Sequence, residues 1–137
     1  MELIRIQSLI AAPLERVWRV FTEPEHVMQW NAAIAEWHCP AATNDLRVGG
    51  AFSYTMAARD GSFSFDFGGT YTAVEPNRHL AYTLGDGRKV TVDFVETAEG
   101  VMVIEDFEPE QMNSREMQQG GWQAILNNFA KHCESVG

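Results

Sequence analysis

Glu105 is the acidic residue whose position suggests chemistry most directly. It shares its parity with Val101, Val103 and Phe107, so simple strand alternation turns its side chain towards the protein interior. A buried carboxyl has a raised pKa and could serve as a general acid or base. However, residues 101–104 are all apolar, which makes the parity ambiguous. We favour the alternative in which Glu105 faces water, so it is at most a weak catalytic candidate.

Other residue types that support catalysis or metal binding lie in no motif of the required spacing. The four histidines are scattered, and none has the HExxH or HxH spacing of metal ligands. No GxSxG elbow presents a nucleophile, and the glycine pairs match neither GxGxxG nor a P-loop. We therefore expect no metal and no cofactor. Whether the protein is an enzyme stays uncertain, with the negative answer favoured.

Aromatic side chains offer the clearest chemical function, which is to line an apolar pocket. The sequence contains eight Phe, four Trp and three Tyr. So many rings on a bent sheet are hard to close-pack against one helix without a gap, and apolar pockets with a few polar groups are typical ligand sites. The alternative for each residue is a plain hydrophobic core. The strand and helix residues predicted to line a pocket of about 300–1,000 Å³ are Phe52, Tyr54, Met56, Phe65, Phe67, Tyr71, Tyr82, Phe94, Trp122, Ile125 and Phe129.

Two short helices are predicted directly after a first strand at residues 2–10. Pro13 suits the first turn of a helix, and Leu14, Val17, Trp18 and Phe21 then recur at helical spacing. The following Thr22-Glu23-Pro24-Glu25 is typical of an N-cap, with Thr22 as the capping residue. It predicts a second helix that ends at about Gln29.

Strands and a long final helix are predicted for the rest of the chain. Period-two alternation predicts strands near 52–56, 63–73, 80–84, 90–94 and 101–107, with a weak strand at 34–39. Gly68-Gly69 indicates a bulge or sharp bend. Apolar residues three and four apart predict one helix over 114–134, in which Gly120-Gly121 suggests a bend or a close backbone approach. The fold class is therefore α+β: a curved antiparallel sheet of six to seven strands around a long C-terminal helix.

Length, charge and cysteine content restrict the partners and the location. The 137 residues fit a single domain, 1–137. Ten Lys and Arg against nineteen Asp and Glu leave a charge of −9, which disfavours nucleic acid and anionic membrane surfaces. No apolar run reaches the ~20 residues of a membrane span. No signal peptide is recognised, and Cys39 and Cys133 are better explained as free thiols than as a disulfide, so we expect a cytoplasmic protein.

Several segments along the chain match a known family in the correct order. They are residues 12–18, residues 21–26 with Trp30, residues 69–71, residues 107–110 and residues 117–129. Together they resemble the SRPBCC superfamily, with its START-like, helix-grip fold, and within it the branch named after the activator of the heat-shock-protein 90 ATPase. The resemblance implies a sheet that grips the C-terminal helix with a cavity between them. It also implies that Trp30 and Trp37 lie near the cavity mouth, where they either gate entry or anchor a loop.

Three functions are compatible with this resemblance and with the residues. We favour binding of a small hydrophobic molecule, aromatic or lipid-like, by a monomer or homodimer. The alternatives are a cyclase- or hydrolase-type enzyme that uses the same pocket, and a chaperone-interacting domain. The superfamily includes all three, so the fold alone does not decide among them.

Overall fold

The computed structural model describes residues 2–136 and contains seven strands and three helices. The elements in chain order are β1 (Ile4–Ile10), α1 (Leu14–Thr22), α2 (Pro24–Trp30), β2 (Trp37–Asn44), β3 (Ala51–Ala58), β4 (Ser64–Glu75), β5 (His79–Leu84), β6 (Lys89–Thr97), β7 (Gly100–Phe107) and α3 (Arg115–Ser135).

All seven strands form one curled antiparallel sheet in the order β1-β7-β6-β5-β4-β3-β2. Strands β2 to β7 follow each other as a meander, and β1 closes onto β7, so the first strand pairs with the last. The long helix α3 packs on the concave side, against β1 and the two short helices. The predicted α+β fold class, with a sheet around a long C-terminal helix, is confirmed.

The two short helices start as predicted, but the cap of α2 differs. Pro13 is the N-cap of α1, whose Val17 and Val20 are buried in the core. Thr22 is the last residue of α1 rather than the cap of α2, and its hydroxyl donates to the Trp18 carbonyl oxygen. Helix α2 begins after Glu23 without a side-chain cap. Pro24 makes this possible because it has no N–H to be satisfied at the first helical position.

Strand β2 begins three residues later than the sequence predicts and extends further, to Asn44. It lies at the edge of the sheet, and its register against β3 shifts between His38 and Ala41. Pro40 falls within this shift. An edge strand tolerates a proline because the missing N–H would otherwise point to solvent.

The glycine pair of β4 does not form the predicted bulge. Pairing with β3 and β5 continues through Gly68 and Gly69, and the irregularity lies between Tyr71 and Ala73. The pair instead permits close backbone contact. A Cβ at Gly68 would collide with the Phe52 carbonyl, and a Cβ at Gly69 with that of Thr83.

Helix α3 begins where the sequence predicts and runs without interruption. Ser114 is its N-cap and accepts a hydrogen bond from the Met117 amide at 3.1 Å. The predicted close approach at Gly120-Gly121 is wrong, since a Cβ on either residue would meet nothing within 4 Å.

The core fills the concave side of the sheet. Leu126, Phe129 and Cys133 of α3 are buried there, and Cys39 of β2 is buried as well. Both cysteines are free. Among residues 2–136, no helix has both the length and the apolar character needed to cross a membrane.

Candidate functional site

An apolar cavity of about 210 Å³ lies between the sheet and α3. Its volume is below the range predicted from the sequence. The walls come from both short helices, from β3, β4, β5 and β7, and from the face of α3 that points to the sheet. The lining residues are Phe21, Trp30, Asn31, Phe52, Tyr54, Met56, Phe65, Phe67, Tyr71, Tyr82, Glu105, Trp122, Ile125, Leu126 and Phe129.

The sheet wall of the cavity is a cluster of aromatic rings centred on Phe52. Its ring centroid lies 5.0 Å from that of Tyr54, 5.4 Å from Tyr71 and 4.9 Å from Tyr82. These residues occupy neighbouring inward positions on β3, β4 and β5, because Tyr71 pairs with Tyr82 and Gly69 pairs with Phe52. Gly69 itself adds no side chain to this wall, and the β5 backbone at Thr83 fills the space that a Cβ would take.

The helix wall is held by two groups of aromatic contacts. Trp122 stacks on Phe107, with ring centroids 3.8 Å apart and planes 10° apart, and its edge meets Phe67. Further along α3, Phe129 lies 5.0 Å from Trp30 and 5.2 Å from Phe21. Such ring contacts contribute more stability than burial of the same apolar area alone, and they fix the shape of the wall.

Glu105 faces the cavity, so the favoured expectation of a solvent-facing side chain is wrong. Glu105 is only 8% exposed. It lies on β7, where all the odd-numbered positions from Val101 to Phe107 are buried. The register is fixed by Ile6 of β1 and Val92 of β6, which pair with Glu105 on either side. Loss of solvation raises the pKa of Glu105 to about 8.

Three tyrosine hydroxyls supply further polar atoms at the cavity wall. The Tyr71 hydroxyl donates to Asn44 Oδ1 at 2.7 Å, and burial raises its pKa to about 12. Burial also raises the pKa values of Tyr54 and Tyr82 well above their ordinary range. The nearby charge of Glu105 adds to the effect at Tyr82, so all three tyrosines are neutral at physiological pH.

Most of the predicted pocket residues meet at this cavity, with two exceptions. Phe94 is buried elsewhere in the core, against Trp18 and Phe21. Trp37 lies near the sheet edge against Phe63 and Phe65, rather than in the wall. The remaining predicted residues line the cavity: Trp30, Phe52, Tyr54, Met56, Phe65, Phe67, Tyr71, Tyr82, Trp122, Ile125 and Phe129.

Besides Glu105, three lining residues are absent from the predicted set: Phe21, Asn31 and Leu126. The spacing of Phe21 predicts a helix face but not a place in the pocket, and Leu126 follows the predicted lining residue Ile125 on α3. Asn31 follows α2 without any pattern that marks it. Its amide nitrogen donates to Met56 Sδ at 3.2 Å and more distantly to Cys39 Sγ.

A pair of histidines lies outside the cavity, where α2 meets α3. His26 Nδ1 and His132 Nε2 are 3.1 Å apart, and Glu23 lies 3.7 Å from His26. Burial and the neighbouring His26 lower the pKa of His132. Within the described part of the chain, no group of three or more His, Cys, Asp or Glu side chains could hold a metal ion.

Comparison with protein families gives one match that spans most of the chain. The model of the family described as "Activator of Hsp90 ATPase homolog 1-like protein" matches residues 11–134. No protein of curated function matches the sequence.

Solved structures with the same architecture include bacterial relatives of substantial identity. An AHSA1-like protein from Aeromonas hydrophila is 41% identical over 97% of this chain and 92% of its own, with a TM-score of 0.92. A protein from Cytophaga hutchinsonii is 51% identical over 95% of this chain and 90% of its own, with a TM-score of 0.83. A third, from Chromobacterium violaceum, is 26% identical over 99% of this chain and all of its own, with a TM-score of 0.85.

Proposed function

Because this chain belongs to the family of activator of Hsp90 ATPase homolog 1-like proteins, we propose that it uses the cavity beneath α3 to bind a small hydrophobic molecule, aromatic or lipid-like. The observation that carries the proposal is the cavity itself, with its lining of rings and few polar atoms. The free, buried thiols support the further proposal that the protein works in the cytoplasm.

The shape of the lining favours a flat guest. Phe52 and Tyr82 meet nearly edge to face, as do Phe67 and Trp122, so ring faces and edges both border the space. A guest that fills it would exchange water contact for aromatic contact, at ~25 cal/mol per Å² of apolar area. The cavity volume admits one or two fused rings rather than a sterol or a full-length acyl chain.

A thermal-shift screen of planar aromatic and lipid-like compounds tests this proposal. Hits at 100-fold excess over their Kd are expected to stabilise the wild type by ~2.7 kcal/mol. Ile125→Trp should abolish the shift, because Ile125 lines the cavity and a larger ring there fills it. The matched control is Asn127→Trp, which adds the same ring on the exposed side of α3 and should leave the shifts unchanged.

Two results would contradict the binding proposal. One is the absence of any shift in the wild type. The other is an equal shift in the wild type and in a folded Ile125→Trp variant, since binding would then occur outside the cavity. Copurification with a chaperone in place of any small molecule would instead favour the interaction function that the family name describes.

A second candidate function is acid–base catalysis in the same cavity. The specific observation behind it is the buried Glu105 carboxyl, whose pKa of about 8 suits proton transfer near neutral pH. A hydrolase of this kind should cleave p-nitrophenyl acetate or butyrate faster than a heat-unfolded sample. Glu105→Gln should remove that activity while leaving binding of a competing aromatic compound intact. Equal hydrolysis by the wild type and Glu105→Gln would rule out this role of Glu105.

A further inference from the structure

We propose that the ligand is an organic cation, an apolar ring system carrying a protonated amine, and that the Glu105 carboxylate is its counter-ion. This inference rests on the proposed function and specifies the chemical class of the guest. It goes beyond apolar binding because it assigns a role to the polar atoms of the cavity.

The first support is that the Glu105 carboxyl has no hydrogen-bond partner among the described residues. Among residues 2–136, no side chain or backbone group forms a hydrogen bond with its carboxyl, although the residue is only 8% exposed. No side-chain nitrogen or oxygen in this part of the chain is both fully enclosed and unpartnered. The carboxyl oxygens of Glu105 therefore reach the cavity space, where a guest could donate to them. A buried carboxyl without a partner is costly to the fold, which favours a functional reason for its presence.

The second support is that the polar atoms around the cavity are suited to accept hydrogen bonds. Tyr54 and Tyr82 line it, and their hydroxyl oxygens are not among the fully enclosed unpartnered atoms of the described residues. Asn31 lines it as well and has its amide nitrogen engaged by sulfur, which leaves its oxygen for a guest. Among the described residues that line the cavity there is no Lys, Arg or His. A ligand with several N–H donors complements such a wall, whereas a carboxylate or phosphate would find no fixed positive charge.

The third support is the aromatic lining itself. Ring faces attract cations through their quadrupole, and aromatic cages are a recurrent site for organic ammonium groups. The ring centroids of Phe52, Tyr71 and Tyr82 lie 4.9–6.1 Å from one another. All three residues line the same cavity as Glu105. The charge of −9 on the whole chain further favours the approach of a cation.

Binding of a cation should be linked to release of a proton. The titratable groups that share the cavity with Glu105 are the neutral tyrosines 54, 71 and 82. Its strand neighbours Ile6 and Val92 do not ionise, and neither do the α3 residues that line the cavity. Because the pKa of Glu105 is about 8, its carboxyl is largely protonated at pH 7 in the ligand-free protein. An ammonium guest favours the ionised form, so its apparent affinity should rise with pH up to about 8.

Isothermal titration calorimetry with two isosteric probes tests the inference. The probes are 1-naphthylmethylamine, which is protonated from pH 6 to 8, and 1-naphthylmethanol, which is neutral. The amine should bind the wild type about tenfold more tightly at pH 7 than at pH 6, with proton release, while the alcohol should show no pH dependence. At pH 8 the amine should bind at least about tenfold more tightly than the alcohol.

Glu105→Gln should remove both the preference for the amine and its pH dependence, while the alcohol still binds. Glu96→Gln is the matched control, since it makes the same substitution at an exposed position on β6 and should behave as the wild type. Equal binding of amine and alcohol by the wild type overturns the cation inference but leaves the proposed function standing. An amine preference that survives in Glu105→Gln also overturns it. Failure of both probes counts against both proposals. If Glu105→Gln does not fold, the pH profiles of the wild type decide.

Discussion

At the scale of single residues, Glu105 is a buried carboxyl whose burial disfavours the charged form. It sits on β7 between Ile6 and Val92, in the middle of an otherwise apolar row. Each unit by which burial raises the pKa of a carboxyl corresponds to ~1.4 kcal/mol of preference for its uncharged form. Ionisation of Glu105 in the ligand-free fold therefore opposes stability.

The stability of the ligand-free protein should fall as the pH rises from about 4.5, the unfolded pKa of this carboxyl, to about 8, its native pKa. In this window the native state keeps a proton that the unfolded chain has released, so the pH slope of the unfolding free energy is negative. Glu105→Gln should remove this slope and be more stable than the wild type at pH 8. Urea titrations at pH 5, 6.5 and 8 measure the effect. A wild type no less stable than Glu105→Gln at pH 8 would show that the carboxyl is better solvated than its burial indicates.

The position of Glu105 also shows what the sequence left open. Four consecutive apolar residues before it permit either face of the strand to be the inner one, so alternation alone does not orient it. Pairing with β1, about a hundred residues away, fixes the register. By contrast, Phe52, Tyr54 and Met56 alternate with small or hydroxyl residues, and their inward orientation could be predicted from the sequence alone.

At the scale of elements, two glycines that look alike in sequence have opposite roles. Gly69 lies in β4 where the β5 backbone approaches closely, whereas Gly120 lies on α3 with open space around it. The sequence places one in a strand and the other in a helix, but it does not show which of them a neighbouring backbone approaches. The helix and strand periodicities could be read from the sequence, but such close approaches could not.

Gly120→Ala should raise the free energy of unfolding by up to ~1 kcal/mol, because alanine is the better helix former and its methyl group meets no neighbour. Gly69→Ala should lower it by about 1–3 kcal/mol, since the added methyl forces the β5 backbone to move. Chemical denaturation of the two variants and the wild type provides the measurement. A stabilised Gly69→Ala variant would contradict the close contact between β4 and β5.

The helix pair α2 and α3 illustrates a second contact that sequence patterns do not reveal. His26 and His132 are over a hundred residues apart, yet their ring nitrogens are within hydrogen-bond distance. The contact exists only because both helices cross the same side of the sheet. Asn128 of α3 reinforces the arrangement by donating to the Ala32 carbonyl, just beyond the end of α2.

At the scale of the whole molecule, the two free cysteines report on the cooperativity of the fold. Cys39 lies in the edge strand β2 and Cys133 in the last turns of α3, and both are buried. Burial raises the pKa of both thiols, that of Cys133 to about 12, so neither is a reactive thiolate in the native state.

Both thiols should therefore react with a disulfide reagent only when the molecule opens. If unfolding is two-state, they are exposed together, and mass spectrometry should find unmodified and doubly modified chains with little of the singly modified form. Iodoacetamide labelling in urea, followed by peptide mapping, provides the control that both sites are accessible after unfolding. Rapid native labelling of Cys39 alone would show that β2 detaches from the sheet independently.

The pairing of β1 with β7 has a consequence for folding during synthesis. The ribosome makes β1 first, but its hydrogen-bonding partner is not complete until residue 107. Translation proceeds at ~5–20 residues per second, so roughly 5–20 s pass between the synthesis of β1 and that of β7. Throughout that interval Ile4, Ile6 and Ile10, which are buried in the finished protein, lie on a strand with no sheet to join. The nascent chain thus presents an apolar segment of the kind that holding chaperones recognise until β7 has been made.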